Sequence, residues 1–139
     1  MSVGHLARLP ELQISLEDHD LVRANYNNLR IDVLLDTNQF FEKIRREYTC
    51  TEVYFNQPIA LSTVEGLILL KLYALPSIYR RGNFARVGLY ENDVATLLHY
   101  YPTDETWLVE TLSPFMNAAD LSEVRNLLKE IQQRFRRFK

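Results

Sequence analysis

The sequence predicts an α+β fold: a mainly antiparallel sheet over residues 12–61 packed on a buried helix at 63–75, followed by a C-terminal helical group. Three observations carry this expectation. Apolar residues alternate with polar ones at a period of two through the first quarter of the chain, Ser62 and Glu65 form a helix-start pair, and an almost unbroken apolar run of helical length follows. The 139 residues predict a single domain, with a strand-rich part at 1–61 and a helical part at 62–139.

The elements follow in order. Leu12, Ile14 and Leu16 alternate with polar positions, as do Val22, Ala24 and Tyr26, and then Leu29, Ile31, Val33 and Leu35. Glu17 to Asp20 supplies one turn and Asn27-Asn28 the next, because Asn tolerates the positive φ of a two-residue hairpin. Phe40, Phe41 and Ile44 recur at helical spacing over 38–47, a short β run spans 52–55, and Asn56-Gln57-Pro58 reads as a turn before an extended segment at 59–61. Ser62-Thr63-Val64-Glu65 is a capping box. From Gly66 to Pro76 every residue except Lys71 is apolar or Tyr, which predicts a helix buried on nearly all sides and stopped by Pro76.

Residues 76–88 are expected to be an irregular connection carrying Arg80, Arg81 and Arg86. Tyr90, Val94, Leu97 and Leu98 mark a further helix, with Glu91 and Asp93 on its other face. Thr103, Asp104 and Glu105 cap another helix, whose stripe is Trp107, Leu108, Leu112 and Phe115 and which Ser113-Pro114 ends or kinks. Asp120 opens the last helix, with the stripe Leu121, Val124, Leu128, Ile131, Phe135 and Phe138.

Composition narrows the function classes. A net charge of −2 gives no overall cationic field for nucleic acid or membrane, and no run reaches the length of a membrane span. The lone Cys50 forms no internal disulfide, and with His5, His19 and His99 it makes no zinc motif, so a cytoplasmic setting is expected. Residues 125–139 hold six basic residues and one acidic one, which leaves −7 on the other 124; this basic end is either a solvated helix end, with Phe135 and Phe138 continuing the core stripe, or the one place for RNA contact.

Two residues stand out for chemistry. Lys71 puts an ammonium in an apolar stretch, where it must find a carboxylate or lose its proton, unless its stem snorkels outward or it faces a cleft and neutralises phosphate. Asp32 sits in mid-strand, a position Asp disfavours, either paired with a base such as Arg30 or projecting as a metal ligand. Asp18-His19-Asp20 has Asp-x-Asp spacing but lies in a turn where Asp is favoured anyway.

NLRIDVLLDTNQFFEKIRRE, the short β run, PIALSTVEGLILLKLYA and the later YENDVATLL together resemble the later part of a nucleotidyltransferase-like family, which includes AbiE-type toxins and their relatives in toxin–antitoxin and phage-defence systems. The match spans roughly residues 29–98. The resemblance implies that Asp32 is the third acidic, Mg²⁺-binding residue and that Lys71 is catalytic. It implies that Arg80 or Arg81, with Asp93, contacts a nucleoside triphosphate. The Gly-Ser motif and Asp-x-Asp that precede this region in the family are not in proper form here, and Glu65-Gly66 replaces the usual Glu-Asp. The expectation is therefore a truncated member, weakly active or inactive alone, that forms a homo-oligomer or binds a cognate toxin or antitoxin chain. The alternative is a non-catalytic dimerisation or protein-interaction module.

Overall fold

The computed structural model describes residue 4 and residues 8–137, so His5 and Phe138 of the sequence expectations lie outside the described residues. The fold is α+β, and the chain forms two compact units, Met1–Glu47 and Tyr48–Lys139. The strands expected to make one sheet over 12–61 make two small antiparallel sheets instead, one in each unit.

In the first unit β1 (Leu12–Glu17), β2 (Leu21–Tyr26) and β3 (Leu29–Leu34) form the expected meander, in the order β1-β2-β3. Asn27 takes the positive φ of 52° that the second turn needs. The β2–β3 register sets Val22 against Val33 and Ala24 against Ile31, so one face is apolar and the other carries Arg23 opposite Asp32. β1 departs from strict alternation, because the register shifts between Ile14 and Leu16 and leaves Leu16 level with Arg23 rather than Val22. α1 (Gln39–Glu47) starts at Asn38, whose Oδ1 accepts from the backbone N–H groups of Phe40 and Phe41 at 2.9 and 3.3 Å.

The second unit opens with a hairpin, β4 (Thr49–Tyr54) and β5 (Gln57–Ser62). Its turn is Phe55-Asn56, at φ 49° and 62°, rather than Asn56 to Pro58. Two consecutive positive φ values match the right-handed twist of the strands, and Pro58 is left inside β5, opposite Val53.

α2 (Val64–Arg80) begins one residue later than the capping box predicts. β5 keeps Ser62, so Thr63 is the cap, its Oγ1 accepting from Gly66 N–H at 3.2 Å. Nor does Pro76 stop the helix, which runs four residues past it. Burial of Leu75, Pro76 and Ile78 offsets the lost backbone hydrogen bond. The turn comes at Gly82, with φ 72°, its N–H bonding the Tyr79 carbonyl.

The irregular connection shrinks accordingly, and α3 (Phe84–Tyr100), capped by Asn83, starts six residues before Tyr90. α4 (Glu105–Leu112) is capped by Asp104 and ends in a 3-10 turn at Ser113–Phe115, as Ser113-Pro114 predicts. Asn117 caps α5 (Ala118–Arg137) through the backbone N–H of Asp120.

α2 packs against α3, α4 and α5 and is the hub of this unit. Ile68, Leu69 and Leu72 of α2 are fully buried with Val94, Leu108, Leu112, Leu128 and Ile131. Burial is not all-round: Leu67 is 38% exposed, and Leu70, Lys71 and Ala74 on the same side are half-buried.

Candidate functional site

Lys71 is held by α3. Its Nζ donates to Asp93 Oδ2 at 2.8 Å and lies 4.4 Å from the centre of the Tyr90 ring. The Arg86 guanidinium is 5.4 Å from the same ring centre, and its Nη2 donates to the Tyr90 hydroxyl at 3.2 Å. Arg86, Tyr90 and Asp93 are spaced i, i+4 and i+7, which puts them on one face of α3. Two cations, a carboxylate and an aromatic ring therefore share a partly open surface, with the Lys71 side chain 18% and that of Asp93 46% exposed.

The two arginines expected to join this group do not. Arg80 stands nine residues beyond Lys71 on α2, and at about 100° per residue that is the opposite side of the helix. Its Nη1 pairs with Asp120 at the start of α5. Arg81 caps α2 and turns its guanidinium back onto the Ser77 hydroxyl at 2.9 Å.

Asp32 belongs to the first unit and has its own partners. Arg23 Nε, across the β2–β3 ladder, donates to Oδ1 at 2.8 Å, and Arg30 Nη2, two residues away on the same face, donates to Oδ2 at 3.0 Å. Partial burial by itself raises the carboxyl pKa, but the hydrogen bonds and charges of Arg23 and Arg30 outweigh it and hold the group at about 2. Both oxygens are thus engaged by guanidinium forks. Mg²⁺ takes several oxygen ligands, and no group of three or more His, Cys, Asp or Glu residues placed to hold a metal ion occurs among the described residues. The residues present do not fit a Mg²⁺ ion at Asp32.

No protein-family model, curated protein or solved structure matches the chain. Lys71 and Asp93, singled out in the sequence, are brought together, and Arg80 and Arg81 are spent elsewhere in the same unit. Sequence reasoning missed Tyr90 and Arg86 as members of the cluster, although their spacing to Asp93 was legible once one helix was drawn through all three. It also missed Arg23, which the two-residue turn after Tyr26 sets opposite Asp32.

Gly66, which stands where the resembled family carries an acid, has a steric reason to be glycine. A Cβ there would lie 2.8 Å from Tyr48 Cβ and 2.9 Å from the Tyr48 carbonyl oxygen.

Away from Lys71, a cleft of about 70 Å³ lies among Leu75, Tyr79, Val87 and Leu127, with Glu91 and Glu123 also in its lining. At the basic end Arg134, Arg136 and Arg137 are exposed, but Phe135 turns inward, half-buried, with its ring centre 5.4 Å from that of His99. No helix among the described residues is long and apolar enough to cross a membrane.

Proposed function

We propose that this chain is a non-catalytic protein-interaction module of nucleotidyltransferase-like type, acting in a defence or toxin–antitoxin setting through contacts with other chains. The family assignment rests on the sequence resemblance. The loss of catalysis rests on one observation, the closure of both Asp32 oxygens by Arg23 and Arg30. A carboxylate so held stays ionised and serves as an ion-pair partner, and a metal could reach it only by displacing a guanidinium. Incubation with Mg²⁺, labelled nucleoside triphosphates and RNA or protein acceptors tests this. The expected result is no transfer above background, unchanged by Asp32→Ala. Transfer that Asp32→Ala abolishes would overturn the reading.

One observation favours a second reading, nucleoside triphosphate binding by a nucleotidyltransferase-like enzyme. Lys71 and Asp93, which the resemblance groups in one site, form a 2.8 Å pair beside Tyr90 and Arg86. An anionic phosphate could draw Lys71 from Asp93 and take Arg86 as a second cation, with the Tyr90 ring beneath. Calorimetric titration of a nucleoside triphosphate, compared with the Arg86→Ala variant, distinguishes this reading. Saturable binding that Arg86→Ala weakens tenfold or more would support it, and no heat at two well-separated temperatures would exclude it.

A further inference from the structure

The β4–β5 hairpin is the least covered element of its unit, with each of its strand residues exposed. Its end is apolar: Val53 is 70%, Tyr54 49% and Phe55 100% exposed, and Phe55 stands in water at a positive φ. A sheet of only two strands is marginal by itself, and uncovered apolar side chains on an open edge favour a further strand.

The register decides which edge is complete. Tyr54 and Gln57 close a two-residue turn and so face each other as a hydrogen-bonded pair. Hydrogen-bonded pairs alternate with the other kind, so Val53 opposite Pro58 and Thr51 opposite Ala60 turn their backbone groups outward. Pro58 agrees with this, since it has no N–H and can stand only where none is owed to β4. On the β5 side the outer edge therefore lacks a donor at Pro58. On the β4 side Thr51 and Val53 offer both N–H and C=O.

We infer that the outer edge of β4 takes a second copy of this chain, pairing antiparallel about a two-fold axis at Thr51, so that two hairpins make one four-stranded sheet. The register is self-complementary. Thr51 faces its own equivalent, a favourable cross-strand pair, and Glu52 faces Cys50 of the second copy rather than another Glu52, so no like charges stand directly opposite.

At the observed exposures Val53, Tyr54 and Phe55 offer about 400 Å² per copy, taking roughly 200 Å² for a whole aromatic side chain. Edge pairing covers these side chains only in part, so two copies bury less than about 800 Å² of them, which with the paired backbone lies below the roughly 1,200 Å² of stable interfaces and within the range of weak encounters, so the dimer is weak and reversible. The inference deepens the interaction-module reading, by naming the partner, and rests on it.

Light scattering after size exclusion, from about 1 μM to about 1 mM, reads the monomer–dimer equilibrium of the full chain. The expected result is a concentration-dependent dimer. Thr51→Lys, which sets like charges against each other at the axis, raises its dissociation constant at least tenfold, while circular dichroism and the melting of dilute, monomeric protein stay unchanged. Glu52→Cys puts a thiol opposite Cys50 of the second copy, at about 4.5 Å between Cα atoms. Mild oxidation should then give a covalent dimer, lost again with Cys50→Ser. A monomer throughout, open-ended oligomers, or a dimer indifferent to Thr51→Lys and not cross-linked by Glu52→Cys overturns the interface. A monomer that transfers no nucleotide removes the interface and leaves the non-catalytic reading standing, whereas a dimer that transfers nucleotide does the reverse.

Discussion

At the scale of single residues the Lys71–Asp93 pair is unequal. Asp93 keeps much of its hydration and Lys71 little, with side-chain exposures of 46% and 18%. Removing Asp93 strands the drier charge, so Asp93→Asn should cost about 2 kcal/mol, and Lys71→Met about 1 kcal/mol, between the values for surface and buried pairs. Urea denaturation of both variants and their double mutant checks the order, and a larger loss for Lys71→Met would contradict it. Asp32 supplies a pH dependence. Its folded pKa of about 2 lies below the ordinary value of 3.8, so its contribution is complete above about pH 4 and is lost as pH falls towards 2. Because the side chain is a quarter exposed, solvent screens part of the linkage and leaves about 1 kcal/mol. Stability measured between pH 5 and pH 2 should fall less steeply in Asp32→Asn than in the wild type by that amount.

At the scale of elements, two positions in α2 oppose helix propensity, with opposite outcomes on substitution. Alanine favours a helix over glycine by up to about 1 kcal/mol, but at Gly66 the new Cβ meets the Tyr48 backbone inside 3.0 Å. Backbone cannot give way as a flexible side-chain end would, so Gly66→Ala should destabilise by about 2 kcal/mol and lower the melting temperature. Pro76 is the reverse case. It lies inside α2 and withholds an N–H from the Leu72 carbonyl, yet its ring is buried. Pro76→Ala restores the bond and loses part of the apolar contact, for a net gain of about 1 kcal/mol in chemical denaturation.

At the scale of the whole molecule, the two units differ in how much core each owns. Among the described residues, the buried apolar side chains of the first unit are Val22, Ala24, Phe40 and Ile44, whereas fifteen, Pro76 included, lie in the second. A chain of about 50 residues buries so small a share of its surface that it is marginal, and with only these four buried side chains the first unit falls short, whereas about 90 residues with a helical core suffice. Residues 48–139 expressed alone should therefore keep a helical circular-dichroism spectrum and a cooperative melt, and residues 1–47 alone should not. A non-cooperative 48–139 fragment would show that this core is incomplete by itself.

The sequence by itself determined the strands of the meander, the turn at Asn27, the hub helix, the amphipathic stripe of α5 and that Lys71 is a charge set in an apolar stretch. Each follows from period, capping chemistry or the cost of burying a charge, all of which act between residues near in sequence. Tertiary structure decided the rest. Whether Pro76 ended α2 depended on apolar burial beyond the ring, which no local rule weighs. Whether Ser62 or Thr63 became the cap depended on how far β5 stayed paired with β4. The partner of Lys71 was fixed by α3 crossing α2 at Asp93, and that of Arg80 by α5 reaching the far side of the same helix. A residue's type sets what it must find, but which residue it finds is set by chain segments tens of positions away, through packing that periodicity does not encode.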